Sequence, residues 1–164
     1  MRIALYEPDI PQNAATIIRL AACLGLPVDI LEPAGFHLTD KAFRRAGMDY
    51  VEQATVHRHA SYGAYRRWLA ENGAPRLVLL TTAAATPYLD FAFRTDDVLM
   101  MGRESAGVPD EVHGEVDARL LIPMLAGRRS LNVALACAMV TGEALRQTGL
   151  APDPGAVAND PAVG

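Results

Sequence analysis

Three segments carry polar residues directly beside apolar runs, where their side chains are placed to do chemistry. The first runs from Asn13 to Arg19. Arg19 stands among Ile17, Ile18, Leu20, Ala21 and Ala22, company in which an arginine is seldom buried unless it is paired. It is either a functional cation or an ion-paired surface residue. Asn13 and Arg19 are six apart and so do not share one vertical face of a helix. The second segment is Met101-Gly102-Arg103-Glu104-Ser105-Ala106-Gly107-Val108-Pro109. Two glycines around Glu104 permit unusual dihedrals and a close approach of backbone to a ligand. The glycine spacing is neither that of a dinucleotide fingerprint nor that of a P-loop, and a tight strand-to-helix turn would read the same way. The third segment runs Leu121-Ile122-Pro123-Met124 through Gly127-Arg128-Arg129-Ser130-Leu131-Asn132-Val133. Ser130 reads as a helix cap with Asn132 in the first turn. Free amides at such a helix start favour an anionic or polar group, and Arg128 and Arg129 beside them suit phosphate.

These residues need a scaffold that gathers loops at one place. Short apolar runs at Ile3–Tyr6, Val28–Leu31, Leu77–Leu80, Val98–Met101 and Leu120–Ile122 have strand length, and Val51–Val56 reads as a further brief strand. Between them lie helical patterns. One follows Pro11, with Asn13 or a neighbour as cap, Ile17, Leu20, Ala21 and Leu24 on its inner side, and Gly25 as its stop. A short basic helix is expected at Lys41–Ala46, another helix at Tyr62–Ala70, and the longest at Ser130–Arg146. Strands alternating with helices imply an α/β fold with a parallel sheet covered on both faces. Ligands then bind beyond the carboxyl ends of the strands, which directs attention to the segments after Leu80, Met101 and Ile122. One domain is expected over residues 1–150, and a disordered tail rich in Ala, Pro, Asp and Gly over 151–164.

Composition narrows the classes. No apolar run approaches a membrane span, and the opening residues lack a signal-peptide pattern, so a cytoplasmic protein is expected. Two cysteines, Cys23 and Cys137, lie inside apolar helical patterns and read as packed thiols. No metal is expected. The net charge of −4 speaks against a nucleic-acid partner on average, but its distribution is uneven. Residues 41–67 hold Lys41, Arg44, Arg45, Arg58, Arg66 and Arg67 against Asp49 and Glu52, a local +4. That segment is either a solvated face or an electrostatic footprint for RNA.

In combination and order, the three segments resemble the SpoU branch of the SPOUT RNA methyltransferases, and most closely its small tRNA wobble-nucleotide 2′-O-methyltransferases. The first motif is carried by Leu5-Tyr6-Glu7-Pro8-Asp9-Ile10-Pro11-x-Asn13 with Ile17-Ile18-Arg19-Leu20, and the tRNA-subgroup stretch by Asp40-Lys41-x-Phe43-Arg44-Arg45-Ala46-Gly47-Met48-Asp49-Tyr50. Gly102-x-Glu104-x-x-Gly107 matches the second motif; Ile122-Pro123-Met124 with Ser130-Leu131-Asn132-Val133 matches the third. The likeness covers about residues 1–149. It implies a parallel sheet whose carboxyl-terminal part is threaded as a deep trefoil knot, a homodimer, and S-adenosyl-methionine as methyl donor. Carried over by position, Leu80, Gly102, Ile122 and Ser130 bind the donor, and Arg19, Glu104 and Asn132 form the reaction centre. Arg44, Arg45, Arg128 and Arg129 are expected to hold the tRNA. Members of the family often carry an aromatic residue where Gly142 stands. The same chemistry on another tRNA position or on ribosomal RNA, and a catalytically silent RNA-binding protein of the same fold, are the alternatives.

Overall fold

The computed structural model describes residues 1–37 and 50–153. Among these residues, seven parallel strands form one sheet: β1 (Arg2–Tyr6), β2 (Val28–Leu31), β3 (Val56–His59), β4 (Leu77–Leu80), β5 (Thr86–Pro87), β6 (Val98–Met101) and β7 (Ala118–Leu121). Their order across the sheet is β3-β2-β1-β6-β4-β7-β5. Five α-helices are described: α1 (Pro11–Leu24), α2 (Tyr50–Gln53), α3 (Tyr62–Glu71), α4 (Asp110–Glu115) and α5 (Val133–Thr148). The basic stretch at Lys41–Ala46 lies outside the described residues, as does most of the expected tail.

Alternation along each strand divides the core in two. Ile3, Leu5, Val28, Ile30, Leu99 and Met101 face one side, where Ile17, Ile18 and Ala21 of α1 and Cys137, Val140 and Ala144 of α5 cover them. Ala4, Tyr6, Leu31, Leu79 and Met100 face the other side, against Tyr65 and Leu69 of α3 and Val112 of α4. Each fully buried Val, Leu, Ile or Met side chain among them contributes roughly 1.5–3 kcal/mol. A charge sits within this second layer. Asp29 is fully buried, and Arg2 donates to both its oxygens at 2.8 Å while Tyr65 donates from 3.3 Å. His59 closes the cluster at 3.1 Å. Burial, and then the Asp29 charge, push the Tyr65 phenol above its ordinary value.

Several boundaries differ from the sequence expectation. Residues 51–56 are not one strand: a single helical turn ends at Gln53 and the strand begins at Val56. β3 is an edge strand with His57 and Arg58 exposed, so it lacks the apolar signature of its neighbours. Asn13 does not cap α1. Ile10 holds the cap position without a side-chain bond and Pro11 opens the helix; proline has no N–H to satisfy there. The cap of α5 is Asn132 rather than Ser130, so that helix starts at Val133. Pro109 holds the cap position ahead of α4. Gly25 ends α1 as expected, in a left-handed conformation with φ 68°. No helix among the described residues is long and apolar enough to cross a membrane.

The order of strands sets where a site can form. From β1 the chain first moves outward through β2 to β3, then crosses to β4 and returns to place β6 beside β1. Loops leaving the carboxyl ends of β1 and β6 therefore diverge at this point, which is where parallel sheets open a crevice.

Candidate active site

A cavity of about 480 Å³ opens at that edge of the sheet, within the range of small-molecule and cofactor sites. Loops following β1, β4, β6 and β7 line it. Leu80, Gly102, Glu104, Ile122, Ser130 and Asn132 all contribute, as does Arg129. Seven residues singled out in the sequence, from the end of β4 and from the segments after β6 and β7, thus meet at one cavity. Apolar side chains such as Leu79, Met101, Met124 and Ala136 fill out the walls between Thr81, Thr82 and Asn13.

Side-chain hydrogen bonds tie the three segments to one another. Asn13 Nδ2 donates to Glu104 Oε1 at 3.2 Å, and Asn132 Nδ2 donates to Asn13 Oδ1 at 2.9 Å. Asn132 Oδ1 in turn accepts from the amides of Ala134 at 2.9 Å and Leu135 at 3.3 Å. Asn132 therefore caps α5 with its oxygen and uses its nitrogen to reach α1. The other oxygen of Glu104, Oε2, accepts from the Asp9 amide at 3.0 Å. Burial, followed by the Asp9 side chain, raises Glu104 above the ordinary carboxyl range.

The β6 loop closes on itself. Arg103 N–H donates to Gly107 at 2.9 Å and Gly107 N–H returns a bond at 2.7 Å. A Cβ on Gly102 would stand 3.0 Å from the carbonyl carbon of Gly107, and Gly107 itself has φ 67°. Both glycines are required by this tight loop, which presents backbone to the cavity. Arg103 Nε donates to Asp9 Oδ2 at 3.2 Å, and its Nη1 lies 3.6 Å from Glu7 Oε2. Glu7 turns the chain at φ 42°, a left-handed conformation that disfavours a residue with a Cβ. Gly35 supports the same loop from behind: its N–H donates to Pro8 at 2.8 Å, and a Cβ there would meet Asp9 Cα at 2.9 Å.

Not every predicted residue converges. Arg19 is exposed on α1, with its guanidinium 5.1 Å from the Tyr50 ring centroid, and it is not among the residues lining the cavity of its own chain. Arg128 is exposed in the turn around Gly127, also away from the cavity wall. Arg44 and Arg45 lie outside the described residues. Conversely, in the sequence Asp9 and Arg103 stand out only as members of motifs, and Asn13 chiefly as a candidate helix cap. Their position just after a strand end was the available signal. Their mutual bonds join residues some 90 positions apart and leave no local trace.

The arrangement holds a mostly apolar cavity with a few fixed polar groups, glycine-backed chain for close approach, and Arg129 at its rim. It can seat a medium-sized cofactor and orient a polar substrate group beside it. The family model described as the SpoU rRNA Methylase family matches residues 1–142. A tRNA (cytidine(34)-2′-O)-methyltransferase of Beijerinckia indica is 60% identical over 147 residues, covering 90% of this chain and 91% of the relative. Among solved structures, one described as "Structural insights into the 2-OH methylation of C/U34 on tRNA" aligns with TM-score 0.84 at 36% identity, over 89% of this chain and 94% of the other. The SpoU methyltransferase AviRb of Streptomyces viridochromogenes, in complex with the cofactor AdoMet, aligns with TM-score 0.83 at 26% identity, over 90% of this chain and 60% of the other. With its parallel sheet, its cavity at the strand ends and a match through nearly the whole described chain, this protein belongs to the SpoU rRNA Methylase family.

Proposed function

We propose that this chain transfers a methyl group from S-adenosyl-methionine to the ribose 2′-hydroxyl of the tRNA wobble nucleotide, cytidine or uridine 34. The observation that carries this reading is the convergence of Glu104, Ser130 and Asn132 on one cavity, wired through Asn13. The relatives' names support tRNA and the wobble position. The family's description names ribosomal RNA instead, which makes rRNA the second reading.

The cavity suits the donor. Its volume is adequate, the Gly102–Gly107 loop offers backbone at close range, and Leu80 and Ile122 flank it with apolar surface. When bound, the donor supplies a methyl group already activated on a positive sulfur. The chain's own task is to position the ribose oxygen and ease the loss of its proton. Asn132 and Ser130 shape the floor where the two reactants meet. Glu104 holds Asn13, which holds Asn132. Arg19 stabilises charge that develops on the ribose oxygen, since its guanidinium is almost never deprotonated and makes a poor simple base.

Because Arg19 does not reach the cavity of its own chain, a second copy must bring it there. The outer face of α5 supports a homodimer: Leu135 and Met139 are exposed four residues apart on the helix, and Leu131 is exposed just ahead of it at the cavity. The same helix packs beside α1, which carries Arg19. Threading of the carboxyl-terminal segment as a trefoil knot is part of the proposal. It is supported by the return of α5 across the sheet to α1 and β6 and by the likeness to SpoU structures. A tRNA substrate makes the cytoplasm the site of action.

Incubation with labelled S-adenosyl-methionine and total tRNA, followed by digestion and nucleoside mapping, tests the function. Label in 2′-O-methylcytidine or 2′-O-methyluridine at position 34 is the expected outcome. Label found only in ribosomal RNA would favour the second reading, and label in neither would remove the activity.

A further inference from the structure

Two carboxyl groups meet where the loop after β1 touches the loop after β6, and one polar atom between them is orphaned. Asp9 Oδ2 accepts from Arg103 Nε at 3.2 Å and from the Ser105 hydroxyl. Asp9 Oδ1 is buried and has no hydrogen-bond partner. Leaving a buried acceptor unpaired costs about 1–3 kcal/mol, and more for a charged group. The neighbouring donors are engaged. Asn13 Nδ2 donates to Glu104 Oε1, and the Asp9 amide donates to Glu104 Oε2. That last bond also brings the Glu104 carboxyl beside the Asp9 side chain. A carboxylic acid, unlike a carboxylate, has a proton to give.

We propose that Glu104 is protonated in the resting protein and donates that proton to Asp9 Oδ1, so that Asp9 sets the protonation state of Glu104. The surroundings fit this assignment from every side. Arg103 and Ser105 of the β6 loop hold Asp9 as the ionised partner. Glu7 at the end of β1 shares Arg103. From α1 the neutral Asn13 faces Glu104, and from the start of α5 the neutral Asn132 stands behind it, with Arg129 lining the same cavity. Burial and the Asp9 bond raise Glu104. Burial also acts to raise Asp9, but the bonds from Glu104, Ser105 and Arg103 outweigh it and hold Asp9 low. Two like charges this close cannot both ionise without cost.

On the reading of the cavity as a methyl-transfer site, this makes Glu104 a positioning residue for Asn13 rather than the acceptor of the ribose proton. Deprotonation at higher pH would set two charges against each other and loosen the contact between the two loops.

The test follows the glutamate side-chain carboxyl carbons by ¹³C NMR in the intact protein from about pH 4 to about pH 9, spanning ordinary carboxyl titration. One glutamate should titrate above the ordinary range, be missing in Glu104→Gln, and move down by about one unit or more in Asp9→Asn, where the like charge is gone. Wild-type glutamates that all titrate in the ordinary range overturn the proposal even if Asp9→Asn fails to fold. So does a Glu104 midpoint unmoved by Asp9→Asn. The pH profile of methyl transfer gives a second readout. Its alkaline limb should follow the Glu104 midpoint and vanish in Glu104→Gln whatever the absolute rate; a limb that survives breaks the link to turnover. Absence of methyl transfer in the wild type would sink the proposed function while leaving the titration to decide the proton.

Discussion

Arg19 is the residue whose position matters most, because it stands outside the cavity that its proposed role requires. Arg19→Ala should lower turnover by at least ~10²-fold, the scale for losing one transition-state donor, with donor binding measured by calorimetry nearly intact. If Arg19 acts across a subunit boundary, mixing Arg19→Ala chains with Glu104→Ala chains should restore part of the activity, since each mixed dimer contains one complete site. No recovery on mixing would place Arg19 in its own chain's chemistry or outside it altogether. Asn132 divides its two tasks between two atoms, and substitutions can separate them. Asn132→Asp keeps the oxygen that caps α5 but loses the amide that donates to Asn13. It should unfold at nearly the wild-type denaturant concentration yet turn over slowly. Asn132→Ala loses both, with a stability cost of about 1 kcal/mol. Equal stability losses in the two variants would show that the cap contributes nothing.

At the level of elements, α5 has two faces with different duties. Cys137, Val140 and Ala144 pack on the sheet, while Leu135 and Met139 look outward. Leu135→Asp with Met139→Asp leaves the inner face untouched and should give a folded monomer in sedimentation, inactive because no second copy supplies Arg19. A dimer that persists would move the interface elsewhere. Helix and strand positions were legible where the chain is buried on both sides. Leu77–Leu80 and Val98–Met101 stand where the apolar runs put them, because a central parallel strand carries no polar position to blur its ends. β3 departs from the sequence expectation because an edge strand exposes His57 and Arg58. The α5 start was misplaced because Ser130 and Asn132 are both good caps, and only the reach to Asn13 makes Asn132 the one used.

For the whole molecule, charge bears on the proposed partner and on the response to acid. Arg129 stands at the cavity rim, with Arg128 exposed in the same loop. Neutralising both should weaken tRNA binding and flatten its dependence on salt by roughly one unit of slope for each lost phosphate contact; an unchanged slope would assign them to structure. Acid should act through carboxylates held low by their partners. Asp9 is lowered by Glu104, Ser105 and Arg103 against the effect of burial, and Glu32 by the Ala34 amide and Arg58 against the same effect. A lowered carboxyl stabilises the fold above its ordinary value and loses that contribution as pH falls through its folded value. Denaturant midpoints should therefore drop as pH decreases below about 4. Glu104 works in the opposite sense, contributing at low pH and less as pH rises past its raised value.

The amino-acid sequence by itself determined most of the strands and helices, though not β5 or the turn of helix at α2, together with the loops at which chemistry would sit and most of the residues that line the cavity. Apolar period and glycine spacing are local properties, readable within a dozen residues. Only the tertiary structure decided that Asn13, 91 positions from Glu104 and 119 from Asn132, bridges the two, and that Arg19 on the same helix stays outside. Those outcomes depend on which strands become neighbours and which way α1 is rotated against the sheet, and side-chain hydrogen bonds between distant segments exist only once that packing is complete.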